Sequence, residues 1–313
     1  MYKRLNYTLK PLEVINSLGY NFHNVTLWYN VYLNLFTRRK TMKKVLSLVL
    51  VLVLCLGAFV GCGGGEKANS DMVTVTVGAT ASPHAEILEA LKDTLAAEGV
   101  DLVIKEYTDY IIPNTATESG EIDANYFQHT PYLTDFNAEN GTHLVSVADV
   151  HYEPMGIYAG KSSDLSNVAE GSVIVVPNDT TNEARALQLL AAQGLFTLPE
   201  NAGLEVTPKD IVDNPLNLKF LEVEAAAVAR SLADADFGVI NGNYALEAGL
   251  TADQGLAFEA SDSAGAQTFA NILVVKEGNE NNEAIQKLVA ALTSEECRAF
   301  IESTYGGMVL PVF

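Results

Sequence analysis

Residues 73–107, VTVTVGATASPHAEILEALKDTLAAEGVDLVIKEY, contain a strand, a helix and a second strand in succession. Val73–Val77 alternates apolar and polar residues, as β-strands do. Ser82 and Pro83 indicate a helix start, because Ser caps helix N-termini well and Pro suits the first turn. The apolar residues that follow recur on one helical face: Ile87, Leu88, Leu91 and Leu95. Val100–Tyr107 is then the second predicted strand.

The same alternation continues towards the C-terminus. Further strands are predicted at Leu144–Val150, Ser172–Val176, Phe220–Val223, Phe237–Ile240 and Ile272–Val275. Further helices are predicted at Pro131–Glu139, Glu183–Gln193, Ala225–Leu232, Asn281–Leu292 and Glu295–Ser303. Strands that alternate with helices predict an α/β fold with mainly parallel sheets flanked by helices. Ligands bind such folds beyond the carboxyl ends of strands, so we expect a site in the loops that follow them.

An export signal precedes this body. Lys43 and Lys44 lead into the apolar run Val45–Val60, which ends at Gly61 and Cys62. A charged start, an apolar run and small residues are the parts of a secretory signal peptide. The cysteine is placed as in a bacterial lipobox, so we expect lipidation at Cys62 and anchoring to the extracytoplasmic face of the cell membrane. A transmembrane helix is the alternative, although spanning segments usually need about 20 apolar residues.

The segments around this signal are assigned from their position and composition. Met42 directly precedes the charged region, so residues 1–41 are predicted to be an upstream extension outside the native protein. The signal peptide is then 42–61. Residues 62–71 are rich in Gly and polar side chains, which predicts a flexible tether.

Charge excludes several classes of partner. The first 61 residues hold eight Lys and Arg and one acidic residue, which leaves 11 basic and 38 acidic residues and a net charge of −27 in the exported part. Such a surface repels nucleic acid and anionic lipid head groups. Cys55 lies in the removed run and Cys62 is lipidated, so Cys297 is alone and no disulfide is expected.

Aromatic residues crowd one predicted strand-to-helix loop, in the segment Asn125–Tyr132. Phe127, His129 and Tyr132 surround the helix start at Thr130–Pro131, and Tyr110 follows the preceding strand. Core packing is the commoner fate of any single aromatic side chain. Several of them with a histidine indicate an aromatic pocket wall.

A second segment, Pro177–Leu187, contains a candidate anion site. Thr180 and Glu183 have the spacing of a capping box, so a helix is expected to begin here. Asn182 and Arg185 then lie on its first turns, where backbone N–H groups and the helix dipole favour an anion. Arg185 adds a two-point partner for a carboxylate. An ion pair between Arg185 and a surface acid is the alternative.

Asparagines form the third candidate group. Asn241 and Asn243 follow the strand Phe237–Ile240, and Asn271 precedes the strand Ile272–Val275. Their amides can hold an ammonium and a carboxylate together. Turn formation is the alternative role, because Asn and Gly serve turns routinely.

The sequence does not indicate an enzyme or a cofactor site. It contains no G-x-S-x-G, H-E-x-x-H, P-loop or G-x-G-x-x-G motif, and Cys297 is a poor candidate for a nucleophile. No catalytic residue, cofactor or metal ligand is therefore predicted. A zinc receptor remains the alternative from another class, because the exported part has four histidines: His84, His129, His143 and His151.

Together these segments resemble the MetQ/NlpA family, the methionine-binding lipoproteins of ABC importers. The resemblance covers nearly all of residues 72–313. Its carriers are Pro83–Leu88, Asp109-Tyr110, Pro113-Asn114, Asp123–His129, Pro131–Leu133, Glu153–Tyr158, Pro177–Asp179, Thr181-Asn182, Asn241 and Asn243–Leu250.

The resemblance implies a two-lobed fold like that of periplasmic binding proteins, with a ligand cleft between the lobes. Lobe 1 would comprise 72–152 and 241–313, and lobe 2 would comprise 153–240. The implied ligand is L-methionine, with the D-enantiomer as a further candidate, and the implied partners are an ABC permease and its ATPase subunit. Membrane attachment would be through Cys62, with no nucleic acid.

The resemblance also implies roles for individual residues. Arg185 would bind the ligand carboxylate, and Asn243 and Asn271 would hold the amino and carboxylate groups. The thioether side chain would be enclosed by Tyr110, Phe127, His129 and Tyr132. Ala184 and Gly242 stand where many members carry Gly and Thr, so a related amino acid or a methionine-containing dipeptide remains an alternative ligand.

Overall fold

The computed structural model describes residues 72–260 and 268–313. The predicted upstream extension, the signal peptide, Cys62 and nearly all of the tether lie outside the described residues. Within them, no helix is both long enough and apolar enough to span a membrane. The described body contains two β-sheets with helices packed on them.

The first sheet has six strands in the order β11-β4-β10-β3-β1-β2. Their bounds are β1 Val73–Ala79, β2 Val100–Glu106, β3 Ala124–His129, β4 Leu144–Tyr152, β10 Ala270–Lys276 and β11 Leu310–Pro311. β1 pairs in parallel with β2 and β3, whereas β10 pairs antiparallel with β3 and β4. The sheet is therefore mixed.

The second sheet has five strands in the order β7-β6-β8-β5-β9. Their bounds are β5 Gly156–Ala159, β6 Val173–Pro177, β7 Lys219–Val223, β8 Phe237–Ile240 and β9 Gly255–Phe258. β6 is parallel to β7 and β8, and β5 is antiparallel to β8 and β9. Here too, parallel and antiparallel pairs are present in one sheet.

Nine α-helices connect and cover these strands in the described chain. They are α1 Glu86–Ala90, α2 Lys92–Ala97, α3 Ile112–Ser119, α4 Thr130–Asn140, α5 Thr180–Ala192, α6 Ala225–Ser231, α7 Gly242–Glu247, α8 Glu283–Leu292 and α9 Glu295–Thr304. Strand side chains alternate between the faces, so Ile174 and Val176 of β6 pack in one apolar cluster and Val175 packs in another. Both faces of the second sheet are therefore buried.

The α/β class and the two sheets agree with the sequence prediction, but three details differ. The sheets are mixed rather than mainly parallel, because β10 and β5 return antiparallel to their neighbours. β3, β5, β9 and β11 were not predicted as strands. β9 extends the second sheet, so the segment expected to belong wholly to lobe 1, 241–313, contributes a strand to the other sheet.

Two helix starts and one loop also differ from the sequence prediction. Phe127 and His129 lie on the buried strand β3 rather than in a loop. The N-cap of α4 is His129, whose ring accepts from the backbone N–H of Tyr132, and not Thr130. The capping box at Thr180 is wrong, because the carboxylate of the preceding Asp179 caps α5.

Candidate functional site

A cavity is lined by segments of both sheets, and its free space for water-sized molecules is about 20 Å³. It includes all nine residues that were predicted to contact a ligand: Tyr110, Phe127, His129, Tyr132, Asn182, Arg185, Asn241, Asn243 and Asn271. Gln128, Glu153 and Gly242 complete the lining and were not predicted. The residues are thus brought together, and their roles as ligand contacts stay predictions.

Three aromatic rings form one wall of the cavity. The Tyr110 ring centroid lies 5.6 Å from the centroids of Phe127 and Tyr132. Tyr244 stacks on Tyr110 with a centroid distance of 5.0 Å. The Tyr132 hydroxyl donates to the carbonyl of Tyr110 at 3.1 Å, which holds two of the rings in place. Such a wall suits an unbranched or sulfur-containing side chain.

A chain of hydrogen bonds fixes how the amides at the start of α5 are oriented. Asp179 Oδ1 accepts from the backbone N–H and from Nδ2 of Asn182, at 3.1 and 2.8 Å. Because that oxygen accepts, the amide nitrogen of Asn182 faces Asp179 and its Oδ1 faces the other way. Asn182 Oδ1 then accepts from Asn241 Nδ2 at 2.8 Å. The amide oxygen of Asn241 therefore has no hydrogen-bond partner among the described residues.

His129 belongs to the same network as a neutral ring. Its Nδ1 accepts from the backbone N–H of Tyr132 at 3.2 Å, so the hydrogen is on Nε2, which donates to Asn182 Oδ1 at 3.2 Å. Burial, together with the nearby charge of Arg185, lowers the pKa of His129 to about 3. Both nitrogens are used within the protein, so only the ring faces of His129 and its carbon edge are offered to a ligand.

Two polar atoms at the cavity have no protein partner. Among the described residues, Asn241 Oδ1 and Asn243 Nδ2 are buried without a hydrogen bond. The other amide atom of Asn243, Oδ1, accepts from the Tyr110 hydroxyl at 2.6 Å. An unpaired buried polar atom costs about 1–3 kcal/mol. A ligand that offers one donor and one acceptor would remove that cost at both positions.

Arg185 carries the positive charge of the cavity and is buried. It forms a two-point ion pair with Glu259, in which Nε–Oε1 and Nη2–Oε2 are both 2.6 Å, and Nη2 also donates to the Glu153 carbonyl at 2.8 Å. Burial alone would lower the pKa of Arg185, but Glu259 outweighs it and the pKa is raised. No hydrogen bond joins Nη1 to any described residue, so this nitrogen remains for a ligand.

Behind the cavity lies a buried cluster that sequence spacing did not indicate. His84 Nε2, His151 Nε2 and a Glu153 oxygen lie within 4.8 Å of one another, the one such group found among the described residues. Zinc at about 2.0–2.2 Å from each ligand would hold tetrahedral ligand atoms about 3.3 Å apart. His151 Nε2 and Glu153 Oε1 are 2.7 Å apart, the distance of a hydrogen bond. The arrangement fits a hydrogen-bonded network better than a metal cage.

The two carboxylates that sequence reasoning missed, Glu153 and Glu259, had unequal signals. The predicted strand Leu144–Val150 is followed by His151, Tyr152 and then Glu153, so Glu153 lies near a strand end, where sites were expected. Glu259 follows β9, which was not predicted, and its partner Arg185 is 74 residues away. The alternative role considered for Arg185 was an ion pair with a surface acid. Arg185 does form an ion pair, but its partner Glu259 is largely buried.

Comparison with known proteins identifies the family of the chain. The sequence model of the NlpA lipoprotein family matches residues 75–313. The chain belongs to the NlpA lipoprotein family. The predicted resemblance is therefore confirmed, and so is the α/β fold class, because solved structures of NlpA-like lipoproteins superimpose on the described body.

Three similar proteins define this relationship. The methionine-binding lipoprotein MetQ of Bacillus subtilis (strain 168) is 38% identical over 260 residues, which cover 82% of this chain and 94% of MetQ. The crystal structure of lipoprotein Tp32 from Treponema pallidum is 41% identical, with a TM-score of 0.72, and covers 76% of this chain and 99% of Tp32. A nutrient binding protein from Burkholderia cenocepacia, solved bound to methionine, is 36% identical with a TM-score of 0.73 and covers 76% and 100%.

Proposed function

We propose that this NlpA family member is a lipid-anchored, extracytoplasmic receptor that captures methionine and delivers it to an ABC permease with its ATPase subunit. The observation that carries this proposal is one cavity that combines a buried charged guanidinium with an aromatic wall. A free α-amino acid with a thioether side chain complements both. The methionine in the Burkholderia cenocepacia structure and the name of MetQ support this choice of ligand.

The polar atoms of the cavity suit the head group of an amino acid. The ligand carboxylate would accept from Arg185 Nη1 and from Asn243 Nδ2, the unpaired donor. The ligand ammonium would donate to Asn241 Oδ1, the unpaired acceptor. Asn271, whose Oδ1 is held by His84 at 2.9 Å, would present its amide nitrogen to the carboxylate. The thioether would pack on Tyr110, Phe127, His129 and Tyr132.

Delivery would depend on the two sheets acting as lobes around the ligand. Residues of the first sheet, such as Phe127, and residues that follow strands of the second sheet, such as Arg185, line the same cavity. A ligand that touches both binds the closed arrangement more tightly and shifts the hinge equilibrium towards it. The closed form would be the form that the permease recognises, and lipid on Cys62 would keep it near the membrane.

Replacing Arg185 tests the carboxylate contact. We expect Arg185→Ala to weaken methionine binding by more than tenfold, because a charged hydrogen bond to a carboxylate is typically worth about 1.5–3 kcal/mol. Arg230→Ala, on the exposed side of α6, is the matched control and should bind as the wild type does. Isothermal titration calorimetry measures both. Equal affinities of the two variants would refute the role of Arg185.

The alternative ligands are distinguished by the same assay. A titration series with methionine, related amino acids and methionine-containing dipeptides ranks the candidates directly. A zinc receptor is disfavoured by the charged Arg185 in the cavity and by the hydrogen-bond distance between His151 and Glu153. We also propose that the chain catalyses no reaction, since the titratable groups at the cavity serve charge pairing and hydrogen bonding.

A further inference from the structure

Glu153 is a buried carboxylate that lines the cavity and is not explained by the contacts proposed above. Its side chain is 6% exposed. An ionised carboxylate in such a place is costly unless it is paired or hydrogen-bonded. The Arg185 guanidinium donates a hydrogen bond to the backbone carbonyl of Glu153, but it forms its ion pair with the carboxylate of Glu259. Arg185 and Glu259 pair with each other, so Glu153 has no cation of its own at the cavity, and burial raises the pKa of Glu153.

One neutral histidine, His151, donates its N–H to this carboxylate, and a second, His84, lies close to it. His151 Nε2 donates to Glu153 Oε1 at 2.7 Å, and its Nδ1 accepts from the Tyr126 hydroxyl. His84 Nε2 lies 3.4 Å from the same oxygen but donates to Asn271 Oδ1 at 2.9 Å, because its Nδ1 accepts from Thr80 Oγ1 at 2.7 Å. Burial lowers the pKa of His84 to about 4 and that of His151 to about 3, so neither ring supplies a counter-charge near neutral pH.

Gly242 has no side chain, and the space next to it is occupied by Glu153. A Cβ atom added to Gly242 would stand 2.6 Å from Glu153 Cβ and 2.8 Å from Glu153 Oε2. Real Cβ atoms do not approach other atoms so closely, and the obstacle includes the stem of Glu153, not only its flexible end. Any side chain at this position, even the methyl group of alanine, could not coexist with Glu153 in its present rotamer.

We propose that Glu153 is the counter-ion of the α-ammonium group of the ligand, that His151 is a positioning residue which holds its carboxylate in place, and that Gly242 leaves the room for it. The proposal rests on the amino-acid binding proposed above and deepens it. It assigns a specificity: the cleft takes α-amino acids with a free, protonated amino group and discriminates against the same acids after deamination or N-acylation.

Charge balance supports this assignment. A zwitterion adds one positive and one negative charge, and the ammonium then neutralises Glu153 while the carboxylate meets Arg185 Nη1 and Asn243 Nδ2. A ligand without the amino group would bring a second uncompensated negative charge into a buried cavity. Burial raises the pKa of Glu153, whereas the hydrogen bonds from His151 and from the backbone N–H of Asn243 favour its charged form.

The first experiment compares methionine with 4-(methylsulfanyl)butanoate, the same molecule without its amino group. Calorimetry on the wild type and on Glu153→Gln gives four affinities. We expect Glu153→Gln to weaken methionine binding by at least about 30-fold, the usual cost of removing one partner of a buried charge pair. The affinity of Glu153→Gln for the deaminated acid should differ from that of the wild type by less than about threefold, so the variant should lose most of its preference for methionine.

The outcomes separate this proposal from the proposed function. A wild type that binds methionine, with Glu153→Gln binding it equally well, overturns the role of Glu153 and leaves the proposed function standing. A parallel loss for both ligands also overturns it, because the damage would then be general. A wild type that binds no amino acid refutes the proposed function itself. Gly242→Ala is the second variant, and it should reproduce the selective loss by displacing Glu153.

A second experiment tests His151 as a positioning residue through the pH dependence of binding. Burial raises the pKa of Glu153, so methionine affinity should fall as the pH drops through that raised value and the carboxyl group becomes protonated. His151→Phe removes an N–H donor to the charged form, and we expect the midpoint to move to higher pH. His143→Phe, at an exposed ring, is the matched control and should leave the midpoint unchanged.

Other titratable groups around Glu153 need to be separated from it. The groups that face it from the packed elements are His84, Tyr110, Tyr126, His151, Arg185, Glu247 and Tyr305. Burial raises the pKa of Glu247 to about 7, so Glu247→Gln should retain the midpoint that Glu153 sets. An unchanged midpoint in His151→Phe, or a midpoint abolished by Glu247→Gln, would overturn the positioning role.

Discussion

Single side chains distant from the ligand decide which end of each amide faces it. Asp179 determines the orientation of Asn182, and Asn182 determines that of Asn241, although Asp179 itself is outside the cavity lining. An asparagine alone is indifferent to being turned over, since its two ends have nearly the same shape. The carboxylate at the start of α5 removes that freedom. The acceptor at Asn241 is therefore present before any ligand arrives.

This dependence gives a prediction for Asp179→Ala. The substitution removes the N-cap of α5, at a cost of about 0.5–2 kcal/mol, and it also frees Asn182 to turn over. We expect methionine binding to weaken by about 3- to 10-fold. Asp164→Ala is the matched control, because Asp164 caps an exposed turn in the same way but touches no cavity residue. Calorimetry that finds the same affinity in both variants would contradict the orienting role.

Glu183 provides a prediction about pH and stability. Burial, together with the hydrogen bond and charge of Glu222, raises the pKa of Glu183 to about 8. The folded state therefore holds an extra proton between pH 4.5 and 8, and stability falls as the pH rises through this range. Glu183→Gln should raise the melting temperature more at pH 8.5 than at pH 5, whereas exposed Glu200→Gln should not. Equal gains at both pH values would show that the carboxyl group titrates normally.

At the scale of elements, local patterns predicted many of the strands and helices but missed β3, whose six residues are all buried. β1, β8 and α9 were recognised within a few residues of their observed bounds, because period-2 and helical spacing are local properties. β5 and β9 are only four residues long and owe their conformation to partners far away in the chain. The antiparallel return of β10 is likewise a matter of pairing, which single-strand patterns do not encode.

The close approach at the end of β5 leads to a prediction for Gly160. A Cβ at this position would lie 2.3 Å from the carbonyl oxygen of Ala235 and 2.6 Å from that of Leu232. Both obstacles are backbone atoms, so Gly160→Ala should lower the free energy of unfolding by about 1–3 kcal/mol. Gly203→Ala has open space and should change it by less than about 0.5 kcal/mol. Urea denaturation distinguishes the two, and comparable stabilities would contradict the crowding.

The same division between local and distant information applies to the site. Arg185, the aromatic residues and the asparagines could be chosen from the sequence because they follow predicted strands and their chemistry is distinctive. Glu259 could not, because its importance comes from an ion pair across 74 residues. His84 and His151 were considered only as metal ligands. Their approach to Glu153 could not be predicted, because it depends on the packing of the turn before α1 against the end of β4.

At the scale of the whole molecule, a ligand held by segments of both sheets should stabilise the entire fold. Binding only to the native state at 100 times the Kd adds about 2.7 kcal/mol. For a body of this size that corresponds to a rise in Tm of roughly 5–10 °C. Thermal-shift measurements with methionine should show it, and alanine at the same concentration is the control. A shift no larger than that of alanine would argue against methionine as the ligand.

The pairing of Arg185 with Glu259 has a consequence for how the receptor behaves in its surroundings. A bare guanidinium in an open cleft would attract chloride or phosphate from the external medium, and a nutrient would then have to displace them. Glu259 already occupies two of the guanidinium nitrogens with its own oxygens. Only Nη1 and the shaped amide edge of Asn243 remain, which a spherical anion fits poorly. We therefore expect chloride to compete only weakly with a ligand carboxylate at this position.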